Sequence, residues 1–317
     1  MRYYKIEVGG KTYTSLVNGK SDPGALNVEL DLPVGAYGTP LGGAFVRIWG
    51  IPLEAIAQAR DLNEKPVSVY GGMQTGLPLA NPAQSGLLLK GSAFPAFGNW
   101  IGTDMTLDIV VVPDLGGTSE SSAKNIVHDW QKGTPLENSI RKTLQTAFPS
   151  FKQDIRISQS LVLNYNDTGF YQNIAQFSAY IKQISQSIMG AKTYPGVNIS
   201  TNGDTIVVTD GTQQASSVKQ IDFKDLIGQP TWLSLNVISV KTVMRADLKI
   251  GDTVKLPPSL ATTQASSASQ FRANSAFQGQ FMIQEMRHVG NFRQPDAASW
   301  NTTFNVVSLG TAGDTRG

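Results

Sequence analysis

Alternation with a period of two dominates the first third of the chain. In RYYKIEVGGKTYTSL the residues Tyr4, Ile6 and Val8 interleave with Tyr3, Lys5 and Glu7, and Gly9-Gly10 turns the run back on itself, which is the pattern of a hairpin. GALNVELDLP, AFVRIWG, KPVSVYGG, GLLLKG and DMTLDIVVVP continue as short strands bounded by Gly, Pro and Asn. Between two of them IPLEAIAQARDL has helical spacing, with Pro52 suited to a first helical turn and Leu53, Ile56 and Ala57 on one apolar face. The region reads as a β-barrel or sandwich carrying one small helix.

The period changes after PDLGGTSESSAK, Pro113 to Lys124, a stretch of small polar residues that reads as a boundary. In KGTPLENSIRKTLQTAFP, Thr134 is expected as N-cap, Pro135 at the first helical position and Glu137 as the partner in a capping box. Leu136, Ile140, Leu144 and Phe148 then recur every four residues until Pro149. A strand is expected at FKQDIRIS and a second helix through TGFYQNIAQFSAYIKQISQSIM. In that helix Phe170, Ile174, Phe177, Ile181, Ile184 and Ile188 make an apolar seam, short enough to pack against its own domain. GVNISTNGDTIVVTDGT closes the region as strands around an Asn202-Gly203 turn.

From about Ser216 the strand pattern returns in TWLSLNVISVKTVMR, GDTVKLP, GQFMIQEMRHVGN and SWNTTFNVVSL. Between these runs SLATTQASSASQFRANSAF is poor in apolar residues and is expected as a mobile loop. The predicted organisation is mainly β with an inserted α/β domain: residues 1–115 β with a short helix, 116–215 the α/β insert, and 216–317 β again.

Composition narrows the function classes. The 317 residues carry 26 basic and 24 acidic side chains, a formal charge of +2, and charged residues make up 16% of the chain. That is below the roughly 25% usual in soluble proteins, as expected either of a surface covered in an assembly or of one rich in Ser, Thr, Asn and Gln. With no cysteine there is no disulfide framework, no thiolate nucleophile and no Cys-ligated metal. The start, MRYYKIEVGGK, lacks a signal-peptide apolar core, and nowhere do about 18 apolar residues run together. The expectation is a protein made and kept in a cytoplasm without a membrane span. No Lys/Arg run is dense enough to suggest a nucleic-acid groove.

Candidate chemistry is sparse. Gly10-Lys11-Thr12 lacks the preceding glycine of a P-loop, because Lys5 stands there on a strand. The two histidines, His128 and His288, are far apart in sequence and without clustered carboxylates, so neither a metal site nor a Ser/His/Asp triad is supported. Asp104, Asp108, Asp222 and Asp225 are candidate carboxylates for a glycosidase pair, though nothing in the sequence brings two together. The N-x-S/T triplets at Asn166, Asn198 and Asn301 have no meaning without a secretory route. Tyr13, Tyr37 and Tyr70, with Trp49, Trp100, Trp130, Trp232 and Trp300, could line a sugar site, but their strand positions favour core packing.

The densest polar cluster is EMRHVGNFRQPDAASWNTTF. This stretch, with DFKDLIGQPTWL, VMRADLKIGDTVKLP and the polar loop before it, resembles the C-terminal barrel of baseplate hub proteins of contractile-tailed phages. There a strand ending in an Arg/His-Val/Leu-Gly-Asn/Asp pattern turns through a short loop into a Trp-x-Thr strand. VRIWGIPLEAIAQARDLNEKPVSVYGG and GNWIGTDMTLDIVVVPD resemble the matching first barrel of the tail-tube type, and DWQKGTPLENSIRKTLQTAFPSFKQDIRIS its inserted α/β domain.

The resemblance implies a non-enzymatic structural protein with two tube-type barrels per chain and no cofactor. It implies a homotrimer whose six barrels form a ring between a sixfold tail tube and a threefold spike, in the tail baseplate of a virion assembled in the host cytoplasm. The implied partners are the tail tube protein, the central spike protein, the baseplate wedge proteins and the tape measure protein, with DNA passing through the lumen unbound. Arg287, His288, Asn291 and Arg293 are then expected to frame a hairpin of the second barrel, with Trp300 and Phe304 packing beneath it and a candidate subunit interface along it. The alternative is a carbohydrate-active or cell-wall-binding β-protein.

Overall fold

The structure is a computed structural model that describes residues 1–37, 43–74, 81–113, 125–190, 194–202, 205–213, 217–234, 237–257 and 279–308. The expected loop at 259–277, the boundary stretch from 114 to 124, Gly203 of the expected turn and residues 309–317 lie outside the described residues.

The first part of the chain forms β1 (Arg2–Val8), β2 (Lys11–Thr14), β3 (Leu16–Val17), β4 (Lys20–Ser21), β5 (Val28–Val34), β6 (Ala44–Trp49), helix α1 (Leu53–Ala57), β7 (Pro66–Met73), β8 (Gly86–Ile101) and β9 (Asp104–Pro113). The middle forms β10 (Ile126–Trp130), α2 (Leu136–Ala147), β11 (Lys152–Arg156), β12 (Asp167–Tyr171), α3 (Ile174–Met189), β13 (Asn198–Asn202) and β14 (Thr205–Thr209). The last part forms β15 (Val218–Gln220), β16 (Thr231–Ser234), β17 (Val237–Val243), β18 (Thr253–Lys255), β19 (Gln280–Asn291) and β20 (Trp300–Ser308). The fold is mainly β.

One large sheet runs in the order β16-β17-β20-β19-β5-β6-β9-β8-β7-β1-β2, with β18 on β19 and β15 on β18. The first and last parts of the chain therefore share a sheet. They are sewn together where β5 pairs antiparallel with β19, Leu32 opposite His288 and Glu29 opposite Asn291. Period-two patterning puts one face of each strand inside. Val28, Leu30 and Leu32 join Val46, Ile48, Leu107 and Ile109 in one core, which also takes Met244 and Trp300 from the last part. Ile238, Val240, Met286, Phe304 and Val306 fill a second core, against which Val34 packs. A third belongs to the middle region, where α2 and α3 pack with the sheet β11-β14-β13 and the ribbon β10-β12.

The hairpin at Gly9-Gly10 forms as its alternation predicts, Val8 opposite Lys11, with positive φ at both glycines. Other local expectations give way to tertiary contacts. Helix α1 buries Ala55, and Ala59 follows in the next turn, while Leu53 is 53% exposed and Ala57 faces solvent. The cause is a close approach to β8, where a Cβ on Gly98 would lie 2.6 Å from Ile56 Cγ2. Pro52 is extended and precedes the helix instead of sitting in its first turn.

The four-residue face of α2 is buried as its spacing predicts, but the expected capping box is absent. Pro135 takes the cap position in an extended conformation, and the Thr134 hydroxyl donates to the Gln131 carbonyl. Glu137 pairs instead with Arg141 at 2.7 Å. The first helical N–H is satisfied from outside, Leu136 N–H donating to the Leu161 carbonyl at 2.8 Å, so a side-chain cap there is dispensable.

The second helix begins later than its apolar seam suggests. Residues 167–171 form β12, which leaves Phe170 77% exposed, and Asn173 caps α3 by accepting from Gln176 N–H at 3.0 Å. Ile174, Phe177 and Ile181 are buried, with Ile184 and Ile188 packed partly against the same core. The seam thus serves its own domain, and Gly190, at φ 62°, ends the helix in the left-handed conformation.

Candidate functional site

The cluster picked out by sequence lies on β19, β20 and the turn between them, and its side chains reach into the N-terminal part of the same chain. The Arg287 guanidinium forms a two-pronged ion pair with Asp31 on β5, its Nε 2.5 Å from Oδ1. Asn291 Nδ2 donates to Glu29 Oε1 at 3.0 Å. Arg293 donates from its guanidinium to the carbonyls of Pro23, at 2.9 Å, and Ala25, and from its backbone N–H to Asn27 Oδ1 at 3.1 Å. Trp300 is 2% exposed, and its indole N–H donates to the Gly72 carbonyl at 2.9 Å. From the other side Arg2 donates to the carbonyls of Asn291, at 2.7 Å, and Phe292.

These contacts make a joint in which Arg2, Arg287, Asn291, Arg293 and Trp300 each have a partner. His288 is 2% exposed and bonded through Nδ1 to the Thr302 hydroxyl at 2.8 Å, and burial pushes its pKa down to about 4. His128 sits in the middle core, fully buried, with Nδ1 2.9 Å from the Thr143 hydroxyl, and burial likewise pushes it down to about 4. Both imidazoles are neutral packing groups at pH 7. Ser139 Oγ lies 3.4 Å from His128 Nε2, but its hydrogen is given to the Asp129 carbonyl at 2.8 Å, and the group is sealed from solvent.

The candidate carboxylates are dispersed into ion pairs. Asp108 accepts from Arg47 at 2.6 Å and from Asn99 at 2.8 Å. Asp225 accepts from Arg245 at 3.0 Å and from Gln84 at 3.2 Å in a buried network, and Asp222 lies 3.6 Å from Lys224. Asp104 stands exposed at the end of the β8-β9 hairpin. The partners of Asp108, Asp225 and Asp222 are cationic and amide side chains, not a second carboxylate that could share a proton. Among the described residues no group of three or more His, Cys, Asp or Glu could hold a metal ion. No described helix is long and apolar enough to cross a membrane.

The aromatic set does not assemble either. Trp130 and Trp300 are buried in different cores, whereas Trp100 is 63% and Trp232 46% exposed, so core packing accounts for only part of the set. Trp49 and Phe45 flank the Arg47 guanidinium at 5.6 and 5.2 Å.

What the fold does build is an extended polar face. Across β17, β20, β19 and β5 the outward side chains form a shallow open cleft of about 740 Å³, lined by Lys241, Thr303, Asn305, Glu285, Arg287 and Asp31 among others. In register, Lys241 stands opposite Thr303 and Thr303 opposite Arg287. Neighbouring rows continue onto β6 and β9, with Glu29 opposite Arg47 and Arg47 opposite Asp108. The ring of polar partners is internal: Asn305 donates to Glu285, and Thr303 Oγ1 donates to Asn301 Oδ1 at 3.1 Å. The sequence pattern singled out Arg287 of this face but not its partner Asp31 on β5, because a pairing between residues 256 positions apart leaves no local signal.

No protein-family model matches the sequence, and no curated protein does. Solved structures do share the fold. The E. coli c3393 protein, a component of the type VI secretion system with structural similarity to the T4 bacteriophage tail proteins gp27 and gp5, superposes with a TM-score of 0.52 at 10% identity, over 96% of this chain and 77% of that one. The 43 kDa tail protein of prophage MuSo2 from Shewanella oneidensis superposes with a TM-score of 0.50 at 8% identity, over 98% of this chain and 97% of that one. At these identities the likeness is one of fold.

Proposed function

We propose that this chain is a structural hub of a contractile phage tail, without catalysis. In this reading residues 1–115 and 216–317 are two tube-type barrels and 116–215 is an insert between them. Three chains form a pseudo-sixfold ring that joins a sixfold tail tube to a threefold spike and leaves a channel for DNA. Its neighbours are the tube and spike proteins, the surrounding wedge proteins and the tape measure protein, and its place is the baseplate of the virion.

The observation that carries this reading is the likeness of fold to a prophage tail protein over 98% of this chain and 97% of that one. The joint between β5 and β19 fits it, since a shared sheet holds the two β regions as one unit, as a ring-forming subunit requires. So do the structural ion pairs Arg47–Asp108, Arg245–Asp225 and Arg287–Asp31.

Electron microscopy of the purified protein, alone and with candidate spike and tube proteins, tests the reading. The expected class averages show a threefold particle with an open centre and six similar lobes. Single compact particles under every condition would refute it, and release of reducing sugar from peptidoglycan would favour the carbohydrate-active alternative.

A further inference from the structure

Residues 28–37 run through each of the cores described above. Val28, Leu30 and Leu32 on β5 belong to the first, Val34 packs against the second, and Tyr37, just past the end of the strand, packs against the core of the middle region. Because β5 also pairs with β19, whatever is fastened to its end is fastened to the joint between the two β regions.

Tyr37 is held through its backbone and its side chain. Its N–H donates to the Ile199 carbonyl on β13 at 2.7 Å, its carbonyl accepts from the Ser178 hydroxyl on α3 at 2.9 Å, and its hydroxyl is hydrogen-bonded to that of Thr201. β13 is the outer strand of the sheet β11-β14-β13, so Tyr37 takes hold of a sheet edge.

The last part of the chain meets the middle region elsewhere. Arg156 Nη1, at the end of β11, donates to the Gly251 carbonyl at 3.0 Å, and Thr209 Oγ1, at the end of β14, lies 3.7 Å from Met282 Sδ. The approach is close: a Cβ on Gly251 would lie 3.1 Å from Arg156 Nη2 and 3.3 Å from Thr209 Cγ2. Arg156 and Thr209 stand opposite each other in register, and β14 is the last strand before the chain returns to β15. The Gly251 contact therefore sits beside the chain exit, whereas Tyr37 holds the opposite edge of the sheet. A body tied only at its chain exit is free to turn there, and a second tie across the sheet stops it.

We infer that Tyr37 is a latch: it holds the middle region in one orientation against the two β regions, and when it is withdrawn that region turns about its contact with Gly251. The device belongs to the single chain and is independent of any ring.

The absence of cysteine allows two nitroxide labels to be placed at chosen sites. Lys90→Cys on β8 and Gln183→Cys on α3 are exposed positions in the first and middle parts. Pulsed electron–electron double resonance on the labelled chain is expected to give one narrow distance peak. Adding Tyr37→Ala should abolish that peak in favour of a broad distribution, with far-UV circular dichroism unchanged. Should Tyr37→Ala fail to fold, Ser178→Ala/Thr201→Val removes the donor to the Tyr37 carbonyl and the partner of its hydroxyl, and should broaden the peak in the same way. A broad distribution before any latch residue is changed would mean that the middle region already turns freely. A peak that stays narrow in the folded latch variant would mean that it is held elsewhere, and either result overturns the latch.

Discussion

Gly290 lies where β19 passes beneath Trp300, and alanine at this position tests whether the joint depends on that close approach. A Cβ there would come within 2.6 Å of Trp300 Cζ3, 2.8 Å of Cε3 and 2.9 Å of Leu30 Cγ. The indole has little room to retreat: it is 2% exposed, its N–H is held by the Gly72 carbonyl at 2.9 Å, and its ring meets Phe292 edge-on at 6.1 Å between centroids. Overpacking typically costs ~1–3 kcal/mol, and loss of the indole hydrogen bond ~0.5–1.5 kcal/mol more. Gly290→Ala should therefore destabilise the protein by about 2–4 kcal/mol. Gly86→Ala is the matched control, because its Cβ would meet Ala246 Cβ at an ordinary 3.5 Å, and it should stay within about 1 kcal/mol of wild type. The assay is urea unfolding followed by tryptophan fluorescence, with far-UV circular dichroism to confirm that each variant folds. Trp300→Phe shrinks the ring, so in a double-mutant cycle the two changes should cost less together than their sum. Equal stability of the Gly290→Ala and Gly86→Ala variants would refute the reasoning.

Acid should weaken the fold through His128 and His288: their folded pKa of about 4 lies below the usual 6.5, so the stability they contribute is present above pH 6.5 and lost as pH falls through 4. The loss reaches about 3 kcal/mol per histidine well below pH 4, and urea midpoints that do not move between pH 7 and pH 4 would contradict it. Arg245→Ala should cost ~3–5 kcal/mol, because it strands Asp225, 1% exposed, in a buried network whose Oδ1 already has no partner. Arg287→Ala should cost at most about 1 kcal/mol, since its ion pair with Asp31 is 58% and 38% exposed, and denaturant titration of the two variants side by side separates them. Asn173→Ala removes the cap of α3 and should cost ~0.5–2 kcal/mol, whereas Thr134→Ala, whose hydroxyl serves the Gln131 carbonyl, should cost less by the same measurement.

Much of the fold is legible in the chain because its signals are local. Alternation placed β1, β5, β6, β7 and β9, the glycine pair placed the first hairpin, and the four-residue recurrence placed the buried face of α2. Where a strong pattern met a stronger tertiary demand, the local reading failed. Phe170 continues the apolar spacing of α3 yet lies on β12, because pairing with Val127 on β10 claims the segment and Asn173 restarts the chain as a helix. The strands β10 and β15 were not read from their local pattern. In the candidate site the residue types were visible and their purpose was not. Arg287, Asn291 and Arg293 look alike in sequence whether they meet a substrate, a neighbouring subunit or, as here, Asp31, Glu29 and the carbonyls of Pro23 and Ala25.

The sequence by itself determined the class of the protein: a cysteine-free, strand-dominated chain interrupted by a mixed region, with neither the clustered ligands nor the basic runs of the common catalytic and nucleic-acid-binding sites. Periodicity and turn chemistry suffice for that, because each acts over a few residues. The tertiary structure alone decided that the first and last parts share one sheet, that both histidines are buried and neutral, and that Arg47 and Arg287 of the outward face are paired with Asp108 and Asp31. Those properties depend on burial and on partners more than 200 residues away, and no local pattern encodes which distant strand a given strand will meet.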